Sequence, residues 1–380
     1  MSRRWKWAAG AVLTGALVVP VSLVPAGTAY AAGGWTPVGV PATGNNVSLN
    51  GVSARTATDA WAVGQQFAAA GQAPPPPVTY HWNGTAWSLV STPALGVNSA
   101  LLAVSASSAT DAWAVGFEVL RPRQRQTLLE HWNGTAWSVD AADSVSGSAV
   151  QLSAVTDLSA SNAYAVGIGA AGPLLEHWNG TSWSPVTLPD PAFNVGPGQA
   201  ISASSASDIW VVGTTSAPAT GQAVAEAIHF NGSAWAVVPM AQPGANTPAI
   251  AAVTAIAAGN AWAVGEDIGA TSAVGGSTLT EHWNGSSWSI VPSPTPGADP
   301  GLTGVAARSA SDVYAVGTGL PSVNGGPEQA LILRWNGTSW ADDTGGTISG
   351  SLAAAATFPG SAREWAVGFS GGQGLALSHG

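Results

Sequence analysis

An all-β chain closed into a ring is what this sequence predicts, on three observations. One unit recurs seven times at a spacing of 46 to 53 residues. Each unit holds four short strand-like runs separated by turn residues. The two ends of the chain carry complementary fragments of the same unit. Seven units of four antiparallel strands make a seven-bladed β-propeller, an architecture that holds 380 residues in one domain.

The unit is fullest from Leu102 to Val139. Leu-x-x-Val-Ser-Ala reads as strand one, Ala-Trp-Ala-Val-Gly as strand two, Leu-Leu-Glu-His-Trp as strand three and Trp-Ser-x-Val as strand four, with the alternation of a pleated strand packed on both faces. Ser/Ala-x-Asp turns join strands one and two. Asn-Gly joins three and four, which predicts a two-residue type I′ turn with positive φ at both positions.

The strand-two aromatic falls at Trp61, Trp113, Tyr164, Trp210, Trp262, Tyr314 and Trp365, but the Asn-Gly turn occurs only six times, at Asn83, Asn133, Asn179, Asn231, Asn284 and Asn336. The seventh unit stops at Leu375 to Gly380, after strand three. Trp35-Thr36-Pro37-Val38 matches a strand four with no unit before it. Pairing the two fragments closes the ring and removes the free sheet edges of an open array. The units cover roughly 48–92, 100–141, 151–187, 199–240, 249–292, 301–343, and 351–380 with 33–40.

Of the 19 Trp, all but Trp5 and Trp7 occupy repeat positions in strands two, three and four. Burying one offers about 4–6 kcal/mol as an upper bound. Aromatic seams between blades can therefore replace disulfides, which a chain without Cys cannot form.

Residues 1–31 read as an export signal. Arg3, Arg4 and Lys6 form a basic start, an apolar run extends from Ala8 to Val24, and Ala29-Tyr30-Ala31 fits a cleavage site, leaving 32–380 as the propeller. Pro20 and Pro25 argue against a membrane-spanning anchor. Removing the leader takes all but 7 of the cations, against 20 Asp and Glu. Such a surface repels phosphate backbones and anionic lipid, so neither nucleic acid nor membrane is an expected partner.

Asp-Ala-Trp-Ala-Val-Gly (111–116) followed by Glu-His-Trp-Asn-Gly-Thr-Ala-Trp (130–137) resembles the kelch repeat, and is similar to the photosystem II assembly-factor and sialidase-type (BNR, Asp-box) repeats. Two departures stand out: the kelch double glycine is single, as at Gly64 and Gly116, and Trp132 replaces the Asp of an Asp-box. Composition and repeat style resemble secreted actinobacterial proteins. The resemblance implies the fold, which hosts enzymes, lectins and scaffolds alike.

All six His (His81, His131, His177, His229, His282 and His379) share one repeat position, with Arg334 in the remaining blade. One per blade around a wide ring cannot converge on a metal. Hydrogen bonds to the turn acids Asp59, Asp111, Asp208 and Asp312 are expected instead, as in the WD-repeat families. Glu130, Glu176 and Glu281 beside them repeat too, whereas a catalytic carboxyl pair has to break the symmetry. No catalytic residue, metal or cofactor is expected.

Asymmetry lies in the loops joining strands two to three and four to one, which share one face and carry the variation in length. Phe117, Glu118, Arg121, Arg123 and Arg125 of the second unit and Glu266 and Asp267 of the fifth are the candidate binding residues. The resulting expectation is a monomeric, secreted, non-catalytic module binding an extracellular glycan or a protein partner. A polysaccharide hydrolase or lyase, recognisable by an acid-lined axial pocket, and a structural component of a larger secreted assembly are the alternatives.

Overall fold

The structure is a computed structural model that describes residues 34–68, 72–93, 95, 98–140, 145–217, 219–244, 246–269, 276–321, 325–358 and 363–380. The expected leader, 1–31, lies outside the described residues. Seven antiparallel sheets of four strands form a seven-bladed propeller, and blades 2 and 4 each carry one extra short strand.

Blade 2 shows the pattern: Ala100–Ser108 innermost, then Asp111–Arg121, Gln124–Trp132 and Trp137–Val139, with Ser146–Gly147 as the extra strand. The first strand of each blade packs on that of the next, and that of blade 7 (Ser351–Thr357) packs on that of blade 1 (Asn46–Thr56). Closure comes from the start of the chain. Thr36–Pro37 is the outer strand of blade 7, in register Thr36↔Ser378 and Pro37↔Leu377, and the Val38 N–H donates to the Ala376 carbonyl at 2.8 Å.

Tryptophans fill every seam. The strand-two ring of one blade meets the rings ending strand three and starting strand four of the next, as Trp61 does with Trp132 and Trp137, at 4.8 and 5.0 Å between centroids. Trp365 meets Trp82 and Trp87 the same way across the ring closure, at 4.8 and 4.9 Å. Trp35 serves the seam between blades 6 and 7, edge-on to Tyr314 at 5.7 Å.

The strand-two glycine has a steric cause. Strand one bulges opposite it, and a Cβ on Gly64 or Gly116 would lie 1.9 Å from a strand-one carbonyl oxygen. The strand three-to-four turn differs from the expected type I′. Only the glycine, as Gly84 at φ 96°, is left-handed, and the connection is four residues long, since Trp82 pairs with Trp87. The Asn83 N–H donates to the Ala86 carbonyl at 3.3 Å, and the Asn83 side chain completes the turn: its Oδ1 accepts from the N–H of Thr85 and Ala86 at 3.0 Å each. All six Asn repeat this, so the dipeptide works as an Asx turn.

Blade 4 breaks the ring's symmetry. Where other blades bulge by one residue, this one inserts Gly196 to Gln199 between Asn194–Val195 and Ile201–Ser205. The insert crosses the central channel. The Gln199 carbonyl accepts from Val253 N–H of blade 5 at 2.9 Å. Its side-chain amide donates to the Ala355 carbonyl of blade 7 at 2.9 Å, and its Oε1 accepts from Val305 and Ala355 N–H at 3.2 Å each.

Candidate functional site

Most of the repeated polar residues hold the blades together. His81, His131 and His229 bond Asp59, Asp111 and Asp208 at 2.7 to 2.8 Å, as expected from the repeat, while Asp312 takes Arg334 at 2.9 Å. His177 and His282 bond Asn162 and Asn260 instead, and burial alone lowers their pKa. His379, expected at the same repeat position, is one residue out of step: Ser378 pairs with Trp365 as His131 pairs with Trp113, and His379 takes the place of Trp132 and bonds Glu364. Each of these rings stands against an aromatic of its own or the neighbouring blade, as His229 does on Trp210 at 4.0 Å.

The loops that vary do share one face, but the candidate residues on it separate into three groups. Strands two and three of blade 2 run two residues further than most of their counterparts and turn at Pro122 and Arg123, the latter at φ 66°. Phe117, Val119 and Arg125 lie on the side shared with Trp113 and Val115, which pack on blade 3. The Arg125 guanidinium sits over the Phe117 ring, 4.1 Å from its centroid, and partial burial lowers its pKa. Arg121 donates to Gln124.

Glu118 points the other way, toward blade 1, buried and accepting from Gln126 Nε2 at 2.8 Å. It belongs to the sheet and not to the exposed patch. Strict alternation along the strand was the signal that separates it from Phe117. Glu266 and Asp267 are in blade 5, with two blades between them and the arginines, and Asp267 is tied to Asn246 at 3.0 Å. The fold does not bring these acids to the arginines.

Arg55, Arg308 and Arg334 are held in ion pairs with blade carboxylates, and Arg363 lies over Trp82. Among the described residues, Arg121, Arg123 and Arg125 reach no carboxylate. Three cations thus stand together on one hairpin of a chain whose net charge is −10.

Beside them is a shallow groove of about 480 Å³ that sequence reasoning missed. It follows the outer edge of blade 3's third strand (Gly172–Trp178), between Val145 and the loop 186–191. Val145 is bound to Thr127 through both backbone groups, and Thr127 is two residues along the strand from Arg125. The lining holds Ala, Gly, Pro, Leu and Val with a single hydroxyl residue, Thr187, and neither an aromatic ring nor a charged group. Its outer wall is pinned to blade 4 through Asp190, whose Oδ2 accepts from Thr215 at 2.6 Å and which faces Glu226, a carboxyl pushed up to about 7 by burial and by Asp190 itself.

No protein-family model matches the sequence, and no curated protein sequence matches it. Solved structures share the fold. One described as YCF48 bound to a D1 peptide superposes with a TM-score of 0.57 at 12% identity, covering 91% of this chain and 96% of that one. Another, a polysaccharide lyase (ulvan lyase) bound to a glucuronate–sulfated rhamnose unit, gives a TM-score of 0.55 at 10% identity over 88% and 93%. At such identities the likeness is one of architecture.

Proposed function

We propose that this chain is a secreted, non-catalytic binding module that recognises an extracellular partner through the variable-loop face, at the seam of blades 2 and 3. The observation that carries the reading is the hairpin holding Arg121, Arg123 and Arg125, cations without carboxylate partners among the described residues, beside a concave apolar surface. Every other described arginine is engaged inside the ring. Export rests on the leader pattern of residues 1–31.

A protein partner fits this surface better than a glycan, because sugars are held by exposed aromatic platforms and the groove has none. The architectural neighbour described as bound to a peptide makes that partner class reasonable. Polysaccharide cleavage, the alternative, was to use an acid-lined axial pocket, and Gln199 occupies that place.

The test compares the exported protein with an Arg121→Gln/Arg123→Gln/Arg125→Gln variant as crosslinking baits in native culture. Partners recovered by the former and lost by the latter are expected. An identical set from both baits would refute the reading.

A further inference from the structure

The outer edge of strand three has a residue four positions before the repeat His (Arg334 in blade 6) that faces away from the blade. In blade 2 it is Thr127, whose N–H donates to the Val145 carbonyl at 2.9 Å as Ser146–Gly147 lies down as an extra strand. In blade 6 it is Ala330, whose N–H donates to Ile348 at 2.8 Å, with Gln329 bridged to Ser349. In blade 4 it is Ala225, served on both backbone groups by the Gln242 amide, at 3.0 Å each. The chain thus covers this edge repeatedly with its own extended backbone, or with an amide that imitates it.

In blade 1 the position is Pro77, whose carbonyl accepts from Thr92 Oγ1 at 3.2 Å. In blade 3 it is Pro173: Val186 N–H covers the next outward carbonyl, that of Leu175, at 2.8 Å, but among the described residues nothing bonds the Pro173 carbonyl, and the groove runs there instead. Proline has no N–H to leave unsatisfied, so the edge can stand uncovered without an orphan donor, and its outward carbonyl remains as an acceptor. Across the groove stands the face of blade 2 that carries Arg125, about 7 Å along the strand from Thr127.

We infer that the ligand of this groove is an extended acidic peptide segment of a partner protein, laid along the outer edge of residues 172–174 with an apolar side chain in the groove and its carboxylates toward the blade 2 arginines. Three features select that chemistry. Extended backbone is what fills the equivalent edge in blades 2 and 6. The groove's wall of Leu174, Leu188, Pro191 and Val145 accepts an aliphatic side chain and offers a sugar no hydroxyl network. The guanidiniums, which meet no carboxylate among the described residues, favour carboxylates and repel a basic stretch, while the acidic remainder of the chain repels a strongly polyanionic stretch that extends beyond them. With one carbonyl and no N–H at Pro173, main-chain pairing adds little, so affinity rests on the apolar anchor and the charges.

This inference rests on the proposed variable-face reading, and the experiment separates the two. Fluorescence anisotropy with the full chain uses a labelled peptide, Glu-Asp-Leu-Val-Leu-Asp-Glu-Ser, a control in which Lys replaces each acid, and a labelled oligogalacturonate. The acidic peptide is expected to bind and the lysine control not to. The triple Arg→Gln variant is expected to lose about tenfold in affinity at low salt and most of the salt dependence. Ala171→Trp, at an exposed lining position, is expected to abolish binding while the urea midpoint stays unchanged.

Equal binding of the peptide by Ala171→Trp and the parent overturns the groove assignment. Binding of the oligogalacturonate but not the peptide overturns the peptide chemistry and leaves the variable-face reading standing. Failure of the acidic peptide to bind, when native partners are still captured in an arginine-dependent way, overturns this inference alone; loss of arginine dependence in both experiments overturns both.

Discussion

Glu130 should make the protein less stable as pH rises, and replacing it with Gln should remove that dependence. The carboxyl is fully buried on the side of blade 2 facing blade 1, neither oxygen has a hydrogen-bond partner, and burial pushes its pKa up to about 8. Its counterpart Glu281 accepts an N–H from Ala241, six residues after Trp235 of the preceding blade, at 3.0 Å. Six residues after Trp87 comes Pro93, which has no N–H to give.

The unfolded chain releases the Glu130 proton near the ordinary value of 4.5, while the folded chain holds it to about 8. Between those values the folded state binds the extra proton, so stability present below about pH 4.5 is lost progressively as pH rises toward 8, and the loss then stops. At about 1.4 kcal/mol per pH unit, the range from pH 5 to pH 8 is worth about 4 kcal/mol as a ceiling, and relaxation of the site brings the expected value to about 2–3. Urea unfolding followed by tryptophan fluorescence should find Glu130→Gln within about 0.5 kcal/mol of the parent at pH 5, where both side chains are neutral, and about 2–3 kcal/mol more stable at pH 8. A difference between the two proteins that is the same at both pH values would refute the reasoning.

Three further outcomes follow from the ring. Asp157 stands where blades 1, 2, 4, 5 and 6 carry Ala54, Ala106, Ala203, Ala255 and Ala307, and its pKa is pushed up to about 8 by burial and by Asp111. Asp157→Asn should therefore also stabilise at pH 8 and not at pH 5, and stabilisation confined to acid would show the sign to be wrong. Trp35 is buried, donates to Asp343 Oδ2 at 3.2 Å and closes the last seam, so Trp35→Ala should lower stability by about 3–5 kcal/mol, and deletion of 33–40 by more; an unchanged urea midpoint would contradict closure by this strand. Gln199→Ala removes three hydrogen bonds across the channel, at about 1 kcal/mol each, while Gly198→Ala would place a Cβ 2.0 Å from the Thr303 carbonyl. Calorimetry should show both melting below the parent, and a Gln199→Ala protein of unaltered melting temperature would mean that the plug carries no load.

Spacing determined a good deal. Seven aromatics against six Asn-Gly turns, with Trp35 left over at one end, are enough to derive the blade count and the closing strand, because each blade is a local antiparallel unit whose strands follow one another in the chain. His81, His131 and His229 recur in step with Asp59, Asp111 and Asp208, and so those three pairings are legible too. Where the period was read too simply, the structure differs: Asn83 and its counterparts act through their side chains, and Glu118 alternates away from Phe117 into the sheet.

Only the tertiary structure decided which features meet across blades. That Gln199 reaches Val305 and Ala355, that Glu266 and Asp267 lie far around the ring from the arginines, and that among the described residues nothing bonds the Pro173 carbonyl beside blade 2 are relations between segments distant in sequence. The repeat dictates how each blade folds, since those contacts are made within about fifty residues. It does not encode which seam lacks a cover, because that depends on where loops of unequal length come to rest once the ring has closed.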